Sequence, residues 1–370
     1  MVTKKNKVLF IIPTLNPGGI ETYLLRFLSF IKQDALLDPY VLVRNMERGD
    51  LFENYVALGV PIYFQPLGYI NPKSFKWYYK LFIKEQFDTV CDFNANFAGI
   101  PMWLAKQAEI NNRIAFYRQG KDHFKVTFLR NLYNSLVKNL VFTSSTQILS
   151  NSKASLNFFF PSWQKNERFK VIYNGMNVDD FHFHAKNSSI RAELGISLEA
   201  FVICHSGRLD PAKNHKTLLK VAKELIERDK SIYFIFCGLN TEKLQDEVDS
   251  MGIKGNAKLL GFRKDVADIL STSNLFYFPS LTEGQPNALI EAMLCGLPFV
   301  ASNIPPIVEI MPETQKPYLI DPLDVEKSVN LILGARAKTD RVLTEITKNW
   351  AREYFSQELR FKEFYNCLIN

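Results

Sequence analysis

Two carboxylates, Glu283 and Glu291, stand with seven residues between them in the segment 280–302. The surrounding pattern indicates a buried strand, a loop, a helix and a second strand, which puts Glu283 on the loop and Glu291 about one turn into the helix. Open parallel sheets bind ligands at that edge, and a helix N-terminus there offers free N–H groups to a phosphate. Carboxylates on either side of a diphosphate could accept hydrogen bonds from two sugars. The segment therefore favours a nucleotide-sugar site over its alternative, a helix cap and a solvated glutamate.

Two cations, Arg208 and Lys213, follow a second candidate strand at 201–205 and precede a helix. They should therefore lie at the same kind of sheet edge as the carboxylates. A departing diphosphate carries negative charge that a metal or fixed cations must neutralise. The chain has no Asp-x-Asp pair, whereas a guanidinium and an ammonium both suit phosphate oxygens. We expect Arg208 and Lys213 to bind the diphosphate; the alternative is that they are ordinary cations beside a helix.

A pair of glycines, Gly18 and Gly19, follows the first candidate strand and opens a helix. Glycine lets backbone N–H groups approach a phosphate or a sugar closely. The pattern is not the GxGxxG dinucleotide fingerprint, so a nicotinamide role is weakly supported. Glu21, in the first turn of that helix, could bind ligand or simply complement the helix dipole.

Four segments, in this order and spread over nearly the whole chain, resemble the signature of the retaining glycosyltransferases of family 4. They are PGGIE at 17–21, VIYNGMN at 171–177, GRLDPAKN at 207–214 and the segment from Glu283 to Glu291. The chain departs from the family pattern at Gln285, where an aromatic residue is common, and at Asn177, where aspartate is common. These departures concern the details of the donor more than the family.

The resemblance implies a GT-B fold, in which two Rossmann-like domains face each other across a cleft. It also implies roles for the site residues: Glu291 would bind the ribose hydroxyls, and Glu283 would lie beside the donor sugar. The matching cations hold the diphosphate in that family without an obligatory metal. Backbone N–H groups around four further residues would hold the sugar or its phosphate: Gly284, Gln285, Pro286 and Asn287.

A histidine contact to the donor sugar is also common in the resembled family. His123 is the candidate here, although it falls some residues late, and Arg118 could share the role. The alternative for His123 is a surface loop. The remaining histidines have no metal-ligand spacing and are interpreted as structural: His182, His184, His205 and His215.

The chain has 370 residues, which is more than one hydrophobic core normally supports, so two domains are expected. We predict an acceptor-binding domain at 1–173 that the terminal helix 351–370 rejoins, and a nucleotide-sugar-binding domain at 177–350. Strands are predicted at 7–12, 40–43, 61–64, 89–92, 113–117, 147–149 and 170–172, and at 201–205, 233–236, 258–260, 275–278, 299–301 and 318–320. Helical patterns separate them at 19–31, 97–107, 127–138, 154–159, 214–227, 242–250, 287–294 and 325–334. This alternation indicates doubly wound α/β domains.

The composition is that of an ordinary soluble protein, with 47% apolar residues and a mean hydropathy of −0.09. No stretch approaches the roughly 20 apolar residues of a membrane span, and the N-terminal apolar run is too short for a signal peptide. The five cysteines are scattered without metal spacing, which suggests reduced thiols in the cytoplasm.

Charge is divided unevenly along the chain. Residues 1–173 carry 22 basic and 12 acidic residues, a net +10, whereas the remainder is −3. We see no nucleic-acid motif, so an anionic membrane or a lipid-phosphate acceptor is the favoured partner. The segment 71–84 presents lysines at helical spacing beside aromatic residues, which would suit peripheral attachment to the cytoplasmic face of a membrane. An amphipathic domain helix with a solvated lysine face fits the same pattern.

Together these features predict a retaining glycosyltransferase that moves a hexose or N-acetylhexosamine from a nucleotide diphosphate sugar. UDP is the most favoured nucleotide, the acceptor would be a glycan or a lipid-linked sugar, and cell-surface polysaccharide synthesis is the natural pathway. No cofactor or obligatory metal is expected. Two alternatives remain, a UDP-sugar 2-epimerase of the same fold and an inactive sugar-nucleotide-binding subunit.

Overall fold

The computed structural model describes residues 5–32, 36–120, 127–181, 188–338 and 340–369. The chain divides into two compact units. Unit 1 comprises Met1–Met176 and Gln357–Asn370, and unit 2 comprises Asn177–Ser356. Each unit is built on one parallel sheet with helices on its faces. The two-domain α/β fold class expected from the alternating pattern is therefore confirmed.

Unit 1 contains a seven-stranded sheet in the order β3-β2-β1-β4-β5-β6-β7, with every pair parallel. Its strands are β1 (Asn6–Ile12), β2 (Leu37–Val43), β3 (Ile62–Phe64), β4 (Thr89–Asp92), β5 (Asn112–Tyr117), β6 (Gln147–Ser150) and β7 (Phe169–Val171). Its helices before unit 2 are α1 (Gly19–Phe30), α2 (Phe52–Ala57), α3 (Pro72–Glu85), α4 (Gly99–Gln107), α5 (Phe128–Ser144) and α6 (Lys153–Phe159). The strand order reverses between β1 and β4, so the loops after these strands diverge at the edge where ligands of such sheets bind.

Unit 2 repeats this plan with a six-stranded parallel sheet in the order β10-β9-β8-β11-β12-β13. Its strands are β8 (Phe201–Ser206), β9 (Ile232–Cys237), β10 (Ala257–Gly261), β11 (Leu275–Phe278), β12 (Phe299–Ser302) and β13 (Leu319–Ile320). Its helices are α7 (Ser188–Glu193), α8 (His215–Arg228), α9 (Gln245–Ser250), α10 (Val266–Thr272), α11 (Asn287–Leu294), α12 (Pro305–Val308), α13 (Val325–Ala337) and α14 (Arg341–Tyr354). The chain then returns to unit 1 as α15 (Gln357–Ile369).

Two helical layers enclose the sheet of unit 1. Helices α1, α2 and α15 pack on one face and bury a cluster of aromatic rings that includes Phe27, Phe361 and Phe364. Helices α3, α4, α5 and α6 pack on the other face, where Tyr78 and Met102 lie in the core. Most strand residues are buried, as expected for parallel strands that are covered on both faces.

All thirteen predicted strands are confirmed, with bounds that differ by at most a few residues. Several helices were not predicted, among them α2, α7, α10 and α12, which have only four to seven residues. Such elements are shorter than the two turns over which a helical period can be recognised. The single terminal helix expected from residue 351 is instead divided, because α14 ends at Tyr354 and only Gln357 onward belongs to unit 1.

Candidate active site

The centre of the candidate site in unit 2 lies where β8 and β11 run side by side. These strands pair in parallel, with Ile203 opposite Leu275, so the loops that follow them leave the sheet together. The loops are joined directly, because the backbone N–H of Leu281 donates to the carbonyl of Ala212 at 2.8 Å. The parallel register thus brings Lys213 and Glu283, which are 70 residues apart in the chain, to one sheet edge.

Lys213 and Glu283 form an ion pair there. The Nζ atom of Lys213 lies 2.6 Å from Oε1 of Glu283, and the two side chains are only 19% and 9% exposed. The ammonium also lies 5.1 Å from the ring centroid of Phe278, the last residue of β11. Two residues predicted from separate motifs therefore meet in a largely desolvated contact, where charge interactions are stronger than at an open surface.

Lys213 is held by the short turn that follows β8. The carboxylate of Asp210 accepts a hydrogen bond from the backbone N–H of Ala212 at 2.9 Å and so starts the turn 211–213. Asn214 then adopts the left-handed conformation with a φ of 57°, and its amide donates to the carbonyls of Pro279 and Pro322. The sequence predicts no separate role for Asn214. Its residue type was the available signal, because an asparagine directly after the lysine tolerates a positive φ and therefore indicates a turn there.

Arg208, the second predicted phosphate ligand, lies on the same loop but in a different environment. Its side chain is 63% exposed and its Nε is 3.5 Å from Oδ2 of Asp210. An exposed pair of this kind contributes little to stability. The guanidinium can therefore turn toward an anion at small cost, whereas Lys213 is fixed.

Gly207 and Gly238 allow two backbone segments to approach each other beneath this loop. Gly238 follows β9 with a φ of 146°, and a Cβ atom at this position would overlap the carbonyl of Gly207 and lie 2.8 Å from the nitrogen of Arg208. A Cβ atom at Gly207 would lie 3.0 Å from Nε2 of His205 and 3.2 Å from Cδ of Lys213. The backbone at Gly238, which contacts the start of the cation loop, therefore requires glycine, whereas Gly207 is tightly packed by side chains.

Two histidines interpreted from sequence as structural lie directly under the cation loop. His205 and His215 are both buried, with ring centroids 5.2 Å apart. Burial, and to a lesser degree the charge of Lys213, lowers the pKa of His215 to about 4. Burial also lowers the pKa of His205 well below its usual range. Both rings are therefore neutral at physiological pH and add no charge to the site.

Several buried polar side-chain atoms in this region have no hydrogen-bond partner among the described residues. Within the described part of the chain, they include Nε2 of His205, both ring nitrogens of His215 and Oγ of Ser280, which follows β11. Buried polar groups are nearly always hydrogen-bonded, and an exception calls for a specific reason. A bound ligand that completes such bonds is one reason that fits the position of these atoms.

Helix α11 carries the remaining predicted donor contacts. Pro286 is its N-cap residue, and the helix begins at Asn287. Glu291 is half-buried in the second turn, and Gln285 in the preceding loop is buried. Burial, followed by the charges of neighbouring groups that include Glu291, raises the pKa of the Cys237 thiol to about 11.

In unit 1 the predicted glycines begin α1. Gly18 is the extended N-cap residue, and a Cβ atom there would lie 2.5 Å from a carboxylate oxygen of Glu21, whereas Gly19 has open space. Glu21 is buried and accepts a hydrogen bond from the Thr14 hydroxyl at 3.1 Å. Tyr55 donates its hydroxyl proton to the Glu21 carbonyl at 2.7 Å. Glu21 therefore fixes the glycine loop from beneath and does more than complement the helix dipole.

Arg118 reaches the same part of unit 1. Its guanidinium lies 3.6 Å from the ring centroid of Tyr23, and its Nη2 donates to Oδ1 of Asn174 at 2.6 Å. Nη2 also lies 3.4 Å from the carbonyl of Gly19. Burial lowers the pKa of Arg118 to about 10, which leaves it charged at neutral pH. His123, the other candidate for a sugar contact, lies outside the described residues.

We expect Glu21→Gln to stabilise unit 1 at neutral pH. Burial raises the pKa of Glu21 above its value in the unfolded chain, so the folded state loses stability as the pH rises from the unfolded to the folded pKa. Glutamine keeps an acceptor for Thr14 without a charge to bury. Urea unfolding at about pH 4 and about pH 8 should show the gain mainly at the higher value. A gain of equal size at both pH values, or an equal gain for the exposed control Glu53→Gln, would contradict this assignment.

The described residues contain no group of three or more histidine, cysteine, aspartate or glutamate side chains placed to hold a metal ion. Among the helices in the described part of the chain, none combines the length and the apolar character needed to cross a bilayer. The expectation of transfer without an obligatory metal stays a prediction.

Comparisons of the sequence and of the fold with known proteins point to glycosyltransferases. Residues 186–350 match the family model of the glycosyl transferases group 1. The chain is 27% identical over 307 residues to the capsular polysaccharide biosynthesis glycosyltransferase CapH of Staphylococcus aureus, a match that covers 80% of this chain and 81% of CapH. It is 32% identical over 189 residues to the UDP-Gal:alpha-D-GlcNAc-diphosphoundecaprenol alpha-1,3-galactosyltransferase of Escherichia coli, over 49% of this chain and 48% of that protein.

The fold is also similar to that of a solved structure, HepE of Anabaena in complex with UDP-glucose. The TM-score is 0.82 at 21% identity, and the match covers 98% of this chain and 99% of HepE. At this identity the likeness concerns the fold alone. The two parallel sheets, the matched segment and the long match to CapH together identify the chain as a glycosyltransferase with the GT-B fold.

Proposed function

We propose that the chain is a retaining glycosyltransferase that moves a hexose or N-acetylhexosamine from a UDP-sugar to a glycan or lipid-linked acceptor. The observation that carries this proposal is the desolvated Lys213–Glu283 ion pair at the carboxyl ends of β8 and β11. Unit 2 would bind the nucleotide sugar and unit 1 the acceptor. The enzyme would act in cell-surface polysaccharide synthesis, at the cytoplasmic face of a membrane.

The donor diphosphate is bound by the two cations of the β8 loop. A lysine ammonium has three donors, so Lys213 can keep its bond to Glu283 and still offer two to phosphate oxygens. The exposed guanidinium of Arg208 provides a planar fork for a second phosphate. Lys213, a fixed cation in a partly buried position, and the exposed Arg208 together stabilise the charge that develops on the leaving diphosphate.

The sugars of the donor are held by the carboxylates and by the start of α11. Glu291 accepts hydrogen bonds from the ribose hydroxyls, and Glu283 lies beside the transferred sugar. The first N–H groups of α11 have no partner within the helix, and the positive end of the helix dipole favours the phosphate. Gly284, Gln285, Pro286 and Asn287 provide the backbone of this binding loop.

The transfer step follows the same-face mechanism of the resembled family. The acceptor hydroxyl oxygen attacks the anomeric carbon on the face from which the diphosphate leaves. The bond between the anomeric carbon and the phosphate oxygen breaks, and its electron pair goes to the diphosphate. The acceptor's proton passes to a phosphate oxygen. The role of Lys213 and Arg208 in this step is to stabilise the charge on that phosphate.

Two of the relatives support the choice of donor and acceptor. The Escherichia coli protein is named for transfer from UDP-galactose to a diphosphoundecaprenol-linked sugar, and HepE was solved with UDP-glucose. The name of CapH supports the pathway, capsular polysaccharide synthesis.

Thermal unfolding in the presence of UDP, GDP, ADP, CMP and NAD, with and without EDTA, tests the proposal. A ligand at about 100 times its dissociation constant stabilises the folded state by roughly 2.7 kcal/mol. We expect a shift with UDP that EDTA leaves unchanged. A shift with NAD alone, or a UDP shift that disappears with EDTA, would contradict the proposed donor or its metal-free binding.

The two glutamates should differ in their kinetic effects. Glu291→Ala should weaken UDP binding by about tenfold to a hundredfold, because a hydrogen bond to a charged group contributes about 1.5–3 kcal/mol. Glu283→Ala should mainly lower the turnover number, since its bonds form at the reacting sugar. Titration with UDP measures the first effect and steady-state kinetics measure the second. The control is Glu326→Ala, a change at an exposed glutamate of α13. Identical kinetics for both variants and the parent would contradict the site assignment.

A further inference from the structure

The two helical layers of unit 1 carry very different charge. Helices α1, α2 and α15 contain three cations and four acidic residues, namely Arg26, Arg360, Lys362, Glu21, Glu53, Glu358 and Glu363. Helices α3, α4, α5 and α6 contain eight cations and one acidic residue, namely Lys73, Lys76, Lys80, Lys84, Lys106, Arg130, Lys138, Lys153 and Glu85. The positive charge of the first half of the chain is therefore concentrated on one face of unit 1.

The single acidic residue of these four helices does not offset their charge. Glu85 lies 2.7 Å from the ammonium of Lys7, on β1, and is already paired. Lys73, Lys76 and Lys80 are exposed on α3 and form no ion pair within the described residues. An unpaired row of lysines attracts an anionic surface, and each lysine near anionic lipid contributes about a factor of five in binding.

The aromatic residues of α3 do not provide the apolar part of such a surface. Tyr78 and Phe82 are buried in the core, and Phe75 and Trp77 are half-buried against it. The sequence-based expectation that these aromatic rings flank the lysines at an interface is therefore wrong for most of them. Only Tyr79 among the aromatic residues of α3 is exposed.

The exposed apolar surface comes from α5 instead. Phe128, Leu129, Leu132 and Leu136 lie along one side of this helix and are between 56% and 81% exposed. We call these four residues the α5 patch. They recur at the three- and four-residue spacing that aligns side chains on a helix. Single exposed apolar residues are ordinary, but a contiguous row on a helix without acidic residues marks an interaction surface.

A neighbouring loop and helix extend this apolar surface. Tyr69 is exposed and packs on Tyr133 of α5, with ring centroids 5.3 Å apart, and Ile70 next to it is 81% exposed. Trp103 of α4 is 40% exposed, and α4 packs against both α3 and α5. The α5 patch and the lysines of α3 thus belong to one continuous helical layer.

We propose that this layer of unit 1 is a docking surface for an anionic lipid bilayer. The α5 patch enters the interfacial region, and the lysines of α3 contact the charged headgroups. Apolar residues beside a row of cations match the two components of a bilayer surface, its acyl boundary and its anionic headgroups. The inference rests on the proposed function, because a lipid-linked acceptor would reach the enzyme from that membrane.

The test is flotation of the full-length protein with vesicles of phosphatidylcholine alone and with vesicles that also contain phosphatidylglycerol. We expect the parent to float with the anionic vesicles and less with the neutral ones, and added salt to weaken the binding. Lys76→Ala/Lys80→Ala should weaken partitioning about thirtyfold, since two lysines contribute about 1 kcal/mol each. The matched control is Lys216→Ala/Lys220→Ala, which removes two exposed lysines at the same spacing on α8 of unit 2.

The apolar component is tested separately. Leu129→Ser/Leu132→Ser should weaken partitioning tenfold or more to both kinds of vesicle, because both leucines lose apolar burial in the interface. Leu323→Ser, at a 65% exposed leucine of unit 2, is the control. Both changes are on the surface, so the folded state should be retained.

Three outcomes would overturn the proposal. The parent could remain unbound to either vesicle, or the control lysine pair could weaken binding as much as the α3 pair. The α5 variants could also leave flotation unchanged and instead abolish self-association in light scattering, which would make the patch an interface between copies of the chain. The UDP thermal shift measured on the same proteins reports the donor site independently. Loss of flotation with a normal UDP thermal shift would show a defect in this surface alone. Absence of the UDP thermal shift in the parent would instead contradict the proposed function.

Discussion

Lys213→Met should lower kcat/KM by about a hundredfold to a thousandfold, the effect of removing one preorganised charge from a transition-state site. Methionine keeps the length of the side chain over Phe278 and removes only the ammonium. The diphosphate then loses a fixed cation, and Glu283, only 9% exposed, loses its partner. Steady-state kinetics with the identified donor measure the loss. Lys220→Met, an exposed lysine on α8, should leave the kinetics unchanged.

A double-mutant cycle separates the two roles open to Glu283. If Glu283 only holds Lys213, then Glu283→Gln should cost nothing further in the Lys213→Met background. If Glu283 also contacts the transferred sugar, the double variant should be slower than Lys213→Met alone. We expect the second result. Activity of Lys213→Met within threefold of the parent would instead show that Arg208 or the backbone carries the diphosphate.

Gly238→Ala should destabilise unit 2 by about 3 kcal/mol or more, since a side chain at a φ of 146° is strained and its Cβ would overlap the Gly207 carbonyl. That corresponds to a fall in melting temperature of roughly 6–12 °C for a unit of this size. The backbone at Arg208 must move to relieve the overlap, so the remaining folded protein should also bind UDP more weakly. Calorimetry and UDP titration measure the two effects.

Gly255→Ala is the matched control in the same unit. A Cβ atom at Gly255 meets nothing within 4 Å, so this change should be neutral or slightly stabilising. Equal melting temperatures for the two variants would show that the contact between Gly238 and the cation loop does not constrain the fold. A normal UDP affinity in a destabilised Gly238→Ala protein would show that the position of Arg208 is not needed for binding.

The pairing of Lys213 with Glu283 also explains how the site can stay intact without ligand. A buried ammonium alone would be costly, and the carboxylate compensates it in the unliganded protein. Donor binding then adds phosphate oxygens to free donors of the same ammonium. The two neutral histidines beneath the loop contribute packing without adding charge, because burial holds their pKa values low.

Much of the fold could be read from the chain because its strands are short apolar runs covered on both faces. Segments such as 275–278 and 201–205 differ sharply in polarity from their flanks, and each became a strand of the parallel sheet. Short helices such as α12 and the break between α14 and α15 escaped prediction. Four residues are too few to show a helical period, and Phe355, the C-cap residue of α14, is an apolar residue whose ring contacts Trp350 and Tyr354, so it gives no signal of a break.

The sequence by itself determined which residues can do chemistry, since Arg208, Lys213, Glu283 and Glu291 stand at strand ends and helix starts whatever the rest of the chain does. Only the tertiary structure decided which of them meet. Parallel pairing of β8 with β11 joins Lys213 to Glu283 across 70 residues, and a single turn leaves Arg208 in solvent. It also turned most aromatic residues of α3 inward and the four apolar residues of the α5 patch outward. Which face of a helix is buried depends on the elements that pack against it, and the local sequence does not specify those elements.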